Sequence, residues 1–317
     1  LVYLGATLSV ATNRETDRQH TKHDHGEDEK REDRDEHDAT LGPVTRVRKS
    51  RRMPTCTDPS PRSVVEALRG DRGTRPRADL TSASGLRSIL EDGIFALLHN
   101  VLPATPIVLR ASSLRQLGPS TDISESAHAR VRGILVNHVL RLLSVGAAIT
   151  DPFEDALRAW RLEVESGELL DFVERLQADD LARLATDVTA HSVTLMRSLG
   201  PVNHYWLPRS AMRATQMLCG GSVILRDVID LMVGTTVGEF ASVALFDVTT
   251  SPLGEGAERA LRYHALVQTL RSGVVPLRTS CFSTATGEMW SLDVDGELLT
   301  RSADEVLCAL ANITSHA

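Results

Sequence analysis

Two aspartates define the chemistry that this chain's residues offer. In Ser222–Val233 (SVILRDVIDLMV), alternation puts Val228, Asp230 and Met232 on one side of a strand. In Ala241–Thr250 (ASVALFDVTT) it puts Val243, Leu245, Asp247 and Thr249 on one side of the next. Carboxylates at neighbouring strand ends converge on a rigid frame. A hard cation such as Mg²⁺ takes oxygen ligands of this kind and is held by them against a phosphate. The residue two places after Asp247 projects to the same side, where a group that orients or activates water would stand. That residue is Thr249, whose hydroxyl carries no charge and titrates far outside the range useful for proton transfer. Downstream, Arg259 and Tyr263 stand four apart and share a helix face.

The elements that must position these residues are marked by a change of period. Helical spacing predicts helices from about Asp79 to His99 (Leu86, Ile89, Leu90, Ile94, Leu97) and from about Glu125 to Val145 (Val131, Ile134, Leu135, Val139, Leu142, Leu143). Another starts at Asp151-Pro152 and continues to Leu199 with a break near Gly167. After residue 200 the period falls to about two. Strands are predicted at Tyr205–Met217, Ser222–Val233, Ala241–Thr250, Val274–Ser283 and Met289–Val294, with helices over Glu255–Ser272 and Arg301–Asn312. The expected organisation is a charged disordered extension over 1–53, a linker over 54–78, a helical region over 79–200 and an α/β core over 201–317. Residues 79–317 are expected to form one unit.

Composition narrows the function classes. Residues 12–40 mix charges without Phe, Trp or Tyr and without apolar periodicity, so burial cannot offset their ordering entropy. Residues 1–53 hold 11 basic and 11 acidic side chains, so the remainder carries the whole net charge of −7. No generic basic nucleic-acid surface is visible at that level. The run Arg46–Arg52 (RVRKSRR) reads as a solvated linker, and Met53 directly after it suggests an alternative start. The only lysines are Lys22, Lys30 and Lys49, so every permanent cation after Met53 is an arginine, which stays protonated and does not transfer protons. Four scattered cysteines with no CxxC pair indicate neither a zinc site nor a disulfide framework. No Walker loop, GxGxxG or Gly-x-Ser-x-Gly occurs. The apolar start, Leu1–Ala11, is too short to span a bilayer, and a cytoplasmic protein without a membrane partner is expected.

Four segments in order resemble the RecB-type branch of the PD-(D/E)XK nuclease superfamily. They are Asp227-Val228-Ile229-Asp230-Leu231, then Ala244-Leu245-Phe246-Asp247-Val248-Thr249-Thr250, then a helix with Arg259-Ala260-Leu261-Arg262-Tyr263, then Val275-Pro276-Leu277-Arg278. That branch shows an acid ending its second strand, acid-x-lysine on its third and a Gln-x-x-x-Tyr-like helix. The resemblance implies an α/β fold in which a helical N-terminal region precedes a restriction-endonuclease-like mixed sheet with flanking helices. It implies Asp230 and Asp247 as ligands for Mg²⁺ or Mn²⁺, Thr249 in the lysine's place, and Arg259 with Tyr263 as the helix pair facing the site. The branch also delivers a metal-binding histidine from a Gly-x-x-x-His helix. Here Gly133 is followed by Asn137 at the matching place, with His138, the candidate third ligand, one residue late and rotated by about 100°.

The implied function is metal-dependent phosphodiester hydrolysis of DNA. The loss of the lysine supports a rival, a catalytically inactive nuclease-fold module that binds DNA or scaffolds protein partners in a repair or defence complex. An α/β core with no metal site remains open beside both.

Overall fold

The computed structural model describes residues 47–49, 80–98, 103, 105–115, 117, 126–163, 167–235 and 243–315. The expected disordered extension and the 54–78 linker lie outside these residues, apart from a three-residue strand, β1 (Val47–Lys49). The remaining elements are α1 (Leu80–Leu97), β2 (Ile107–Leu109), α2 (Ala111–Arg115), α3 (Ala127–Ser144), α4 (Pro152–Glu163), α5 (Glu168–Glu174) and α6 (Ala178–Leu199). They continue with β3 (Arg209–Leu218), β4 (Val223–Val233), β5 (Ala244–Thr249), α7 (Glu255–Ser272), β6 (Arg278–Ser283), β7 (Met289–Asp293) and α8 (Gly296–Ser315). Among the described residues no helix is long and apolar enough to cross a membrane.

The strands form one mixed sheet in the order β1-β7-β6-β5-β4-β2, with β3 paired to β4. β4 runs antiparallel to β3 and β5, β5 is parallel to β6 across α7, and β6 is antiparallel to β7. Helices cover both faces. On one, Leu86, Leu90 and Ile94 of α1, Tyr263 and Leu266 of α7, and Val306 and Leu310 of α8 pack against Leu218, Val223 and Leu225. On the other, Val136 and Leu140 of α3 and Leu195 and Leu199 of α6 pack against Leu231, Phe246 and Phe282. Outside that layer, α3 to α6 share a second helical core around Val131, Phe153, Trp160 and Leu184. Each such fully buried side chain contributes roughly 1.5–3 kcal/mol.

Local signals explain several boundaries. Ser126 caps α3 by accepting from the Ala129 N–H, and Asp151 accepts from the N–H groups of Phe153 and Glu154 with Pro152 at the first helical position of α4. Helix α7 spans Glu255–Ser272, as its pattern predicts, and ends on Gly273 in the left-handed region. Every residue of α7 from Ala260 to Leu270 is buried. Its buried Arg262 is held by Glu305 of α8 at 2.6 and 3.0 Å and by Glu258 at 2.7 Å, and so ties the two helices together.

Three expectations need correction. Val47–Lys49 of the basic run is a strand, parallel to β7, rather than free linker. The helical region contains β2, parallel to β4, so it contributes to the sheet itself. Along β4 the alternation slips at Asp230. Val223 and Leu225 pack with α7, whereas Leu231 and Val233, which simple alternation would put on the same face, pack with α3. The slip coincides with Ala211 on β3, at a φ of 50°, whose place opposite Asp230 is passed over by the pairing.

Candidate functional site

The site lies where β4 loses its neighbours. One edge of β4 pairs with β2 over Val223–Leu225 and with β5 over Leu231–Val233, which leaves Arg226–Asp230 between the two partners. β2 and β5 enter from opposite ends of β4, so the crevice gathers the residues just beyond each: Arg110 and α2 after β2, and Asp247 after the last β4-paired residue of β5. Polar side chains fill the split. Asp230 Oδ2 accepts from the Val248 N–H at 2.8 Å, replacing a ladder bond, and the Tyr263 hydroxyl donates towards the carbonyls of Leu109 at 2.9 Å and Arg226 at 3.1 Å.

Asp230 and Asp247 do come together, within a larger cluster. Asp247 Oδ2 accepts from Arg115 Nη2 at 2.7 Å and lies 3.7 Å from His264 Nε2. His264 Nδ1 donates to Asp227, with Oδ2 at 2.8 Å and Oδ1 at 2.9 Å. Asp230 Oδ1 accepts from Asn137 Nδ2 at 3.2 Å. The residues that join the predicted pair are therefore Arg115, Asp227, His264 and Asn137. Gly256 at the start of α7 allows Arg115 its position, because a Cβ there would stand 2.9 Å from the Arg115 carbonyl oxygen.

The electrostatics separate the two predicted acids. Burial first, then the Asp247 charge and a hydrogen bond to that carboxyl, push Asp230 well above the usual carboxylate range. Burial acts to raise Asp247 as well, but His264 and then Arg115 outweigh it and hold its carboxyl below that range. Burial alone would lower His264. Asp227 first and Asp247 second overcome it and lift the imidazole to about 10, so the ring is a cation at neutral pH. Cys281, paired in register with Asp247, is buried, and its thiol is pushed well up by burial and that carboxylate.

Arg115, Asp227, Asp247 and His264 of the cluster form the floor of an open cleft of about 590 Å³ that Arg110, Arg213 and Arg226 also line, whereas Asp230 and Asn137 lie behind it and do not line it. Among the described residues, Arg110, Arg213 and Arg226 form no ion pair, and all three are exposed. Four arginines and a charged His264 against the Asp227 and Asp247 carboxylates leave the cleft at +3, in a chain whose net charge is −7.

The other predicted site residues lie elsewhere. His138 is turned off the site and buried, with its ring 6.5 Å from that of Trp160. Burial and then Arg141 lower it to about 4, so it is a neutral core residue rather than a metal ligand. The one-residue offset from Asn137 is the reason, since Asn137 is the one that faces Asp230. Thr249 accepts from the Ser251 N–H at 3.2 Å and serves the turn after β5. Tyr263 pins the split sheet from within. Arg259, one turn earlier, stands 3.8 Å from Glu255. None of these four lines the cleft.

The donor set does not fit a divalent cation. Arg115 and His264 bring positive charge to the oxygen that Asp247 would offer it. Asp230 uses one oxygen for Asn137 and the other for Val248, and its burial beside Asp247 raises its carboxyl and so disfavours the charged form that a cation needs. Among the described residues, no group of three or more His, Cys, Asp or Glu side chains is arranged to hold a metal ion.

No family model and no curated protein matches the chain. Among solved structures it is similar to one described as "Crystal structure of SSO0001", with a TM-score of 0.28 and 8% identity, over 70% of this chain and 84% of that one.

Proposed function

We propose that this chain is a PD-(D/E)XK-like protein that binds DNA through its arginine-lined cleft without cutting it. The observation that carries the reading is the Arg115 guanidinium on Asp247 at 2.7 Å, at the floor of a cleft that gathers three further arginines with no ion pair among the described residues. A cation-requiring hydrolase needs its carboxylate oxygens open to metal, whereas here a permanent protein cation holds one of them. Arginines free of carboxylates suit the phosphate backbone, which each can engage through two donors.

The nuclease-like part of the reading is supported by the order of elements. β3, β4 and β5 form an antiparallel meander, α7 crosses to β6 parallel to β5, and the acids sit on adjacent β4 and β5. Thr249 in the place of the family's lysine agrees with a lapsed reaction, since no lysine in the chain comes after Lys49.

The test is a cleavage assay on linear double-stranded and single-stranded DNA in Mg²⁺ and in Mn²⁺, run beside a DNA retention assay at low salt. Wild type and Asp247→Ala are compared in both. The expected result is retention of DNA and no cleavage by wild type in either metal. Cleavage by wild type that disappears in Asp247→Ala would establish an active nuclease and overturn the reading.

A further inference from the structure

His264 is tethered on one side and vacant on the other. Both Asp227 oxygens lie within 2.9 Å of Nδ1, so that nitrogen donates, and the opposite nitrogen, Nε2, is buried with no hydrogen-bond partner among the described residues. The Asp247 oxygen 3.7 Å away is beyond hydrogen-bond reach but close enough to favour the charged ring. The ring is 4% exposed, yet it lines the cleft. A buried N–H without an acceptor is expensive and therefore uncommon in folded proteins.

Arg115 offers donors beside it. One guanidinium nitrogen, Nη2, is on Asp247, while the side chain remains 40% exposed and lines the same cleft. Arg110 and Arg226 leave β2 and β4 at the level where those strands part, so they flank the entrance to this floor. The carboxylates near the floor are already matched, Asp227 by His264 and Asp247 by Arg115. An incoming ligand with several oxygens and its own negative charge can therefore accept from Nε2–H and from the remaining Arg115 donors together.

We propose that the floor of the cleft is a metal-independent phosphate subsite, in which His264 Nε2–H and the free donors of Arg115 receive the oxygens of one phosphate of a bound strand. The subsite rests on the DNA-binding reading and deepens it: the protein's own side chains take the part that a divalent cation would play. The phosphate is either an internal phosphodiester or a terminal monoester, and the chemistry at the floor is the same for both.

Fluorescence anisotropy tests this with the full chain and single-stranded oligonucleotides carrying hydroxyl ends, a 5′-phosphate or a 3′-phosphate, each in EDTA and in Mg²⁺. The variants are His264→Gln and Arg115→Gln at the floor and Arg213→Gln on the wall. Arg115 is partly exposed, so its variant keeps the test open if His264→Gln fails to fold. Wild type is expected to bind equally in EDTA and Mg²⁺, and Arg115→Gln to weaken binding roughly tenfold or more, the effect of one lost charge-assisted hydrogen bond. A preference for a phosphorylated end that Arg115→Gln abolishes identifies the monoester. Equal binding of all three strands, weakened alike by Arg115→Gln, identifies the diester. Binding that needs Mg²⁺ overturns the subsite. So does a result in which Arg115→Gln matches wild type while Arg213→Gln weakens binding, although that result leaves the DNA-binding reading standing. No binding by wild type of these strands or of the duplex made from them sinks that reading and the subsite together.

Discussion

Replacing Asp227 by asparagine should flatten the dependence of stability on alkaline pH. The imidazole of His264 is lifted from an ordinary 6.5 to about 10 in the folded chain, chiefly by Asp227. A histidine whose folded value is raised contributes stability that is fully present below the unfolded value and is lost as pH rises through the folded one. The window thus runs from about pH 6.5 to about pH 10, and the shift corresponds to about 5 kcal/mol across it. That is comparable with the whole stability of many domains, about 5–15 kcal/mol. Between about pH 7.5 and 8.5 the folded ring holds its proton and the unfolded one does not, so this group alone lowers the unfolding free energy by about 1.3 kcal/mol per pH unit. Asp230, also raised, acts with the same sign wherever it titrates, so the informative quantity is the difference between wild type and Asp227→Asn. Asparagine conserves volume and can still accept from Nδ1, which leaves loss of charge as the main change. Urea unfolding at several pH values should show the variant losing more than half of the His264 contribution to the slope. Identical slopes in wild type and variant would refute the assignment of a charged His264.

Three further perturbations test the frame around the site. His138, lowered to about 4, favours the neutral ring on folding, so it contributes stability that is full above about pH 6.5 and lost as pH falls towards 4. Urea unfolding at about pH 7 and pH 5 should show wild type losing about 2 kcal/mol more than His138→Leu. Arg262→Ala strands Glu305 and Glu258 between α7 and α8 and should cost about 3 kcal/mol or more in chemical denaturation, while Arg262→Met with Glu305→Leu should recover most of the loss. Gly256→Ala places a Cβ 2.9 Å from a backbone oxygen of Arg115, which cannot yield as a side chain would. The expected overpacking cost of about 1–3 kcal/mol exceeds the gain of roughly 0.5–1 kcal/mol from helical alanine, so the variant should be less stable and should bind DNA as weakly as Arg115→Gln.

The sequence makes the frame more legible than the site. Helix α7 and strands β4 and β7 lie close to where period and turn residues put them, because each is bounded by a clear punctuation such as Gly273 or Thr286-Gly287. Three-residue strands escape such reading: Ile107–Leu109 is too short to show a period, and so Arg115, a few residues beyond it, could not be placed beside Asp247. The approach of Asp230 to Asp247 was readable from alternation. The slip at Asp230 was not, since it arises from the left-handed Ala211 on a neighbouring strand. His264 sits next to Tyr263 in a helix buried almost all round, where no amphipathic stripe distinguishes a ligand-facing position from a packed one. The basic character of the cleft was hidden for a similar reason. Arg110, Arg115, Arg213 and Arg226 are dispersed along a chain that is acidic in sum, and only the fold brings them together.

Binding of a short DNA duplex by the full chain in EDTA, followed by anisotropy across a range of salt concentrations, tests the central claim most directly. With Arg110, Arg213 and Arg226 free to engage phosphates, the slope of log K against log salt should be about −3, from roughly 0.9 per neutralised phosphate. Each single change to glutamine should make that slope shallower by about one, with little regard to DNA sequence. Slopes that stay unchanged in all three variants, or an absence of binding at low salt, would contradict the account.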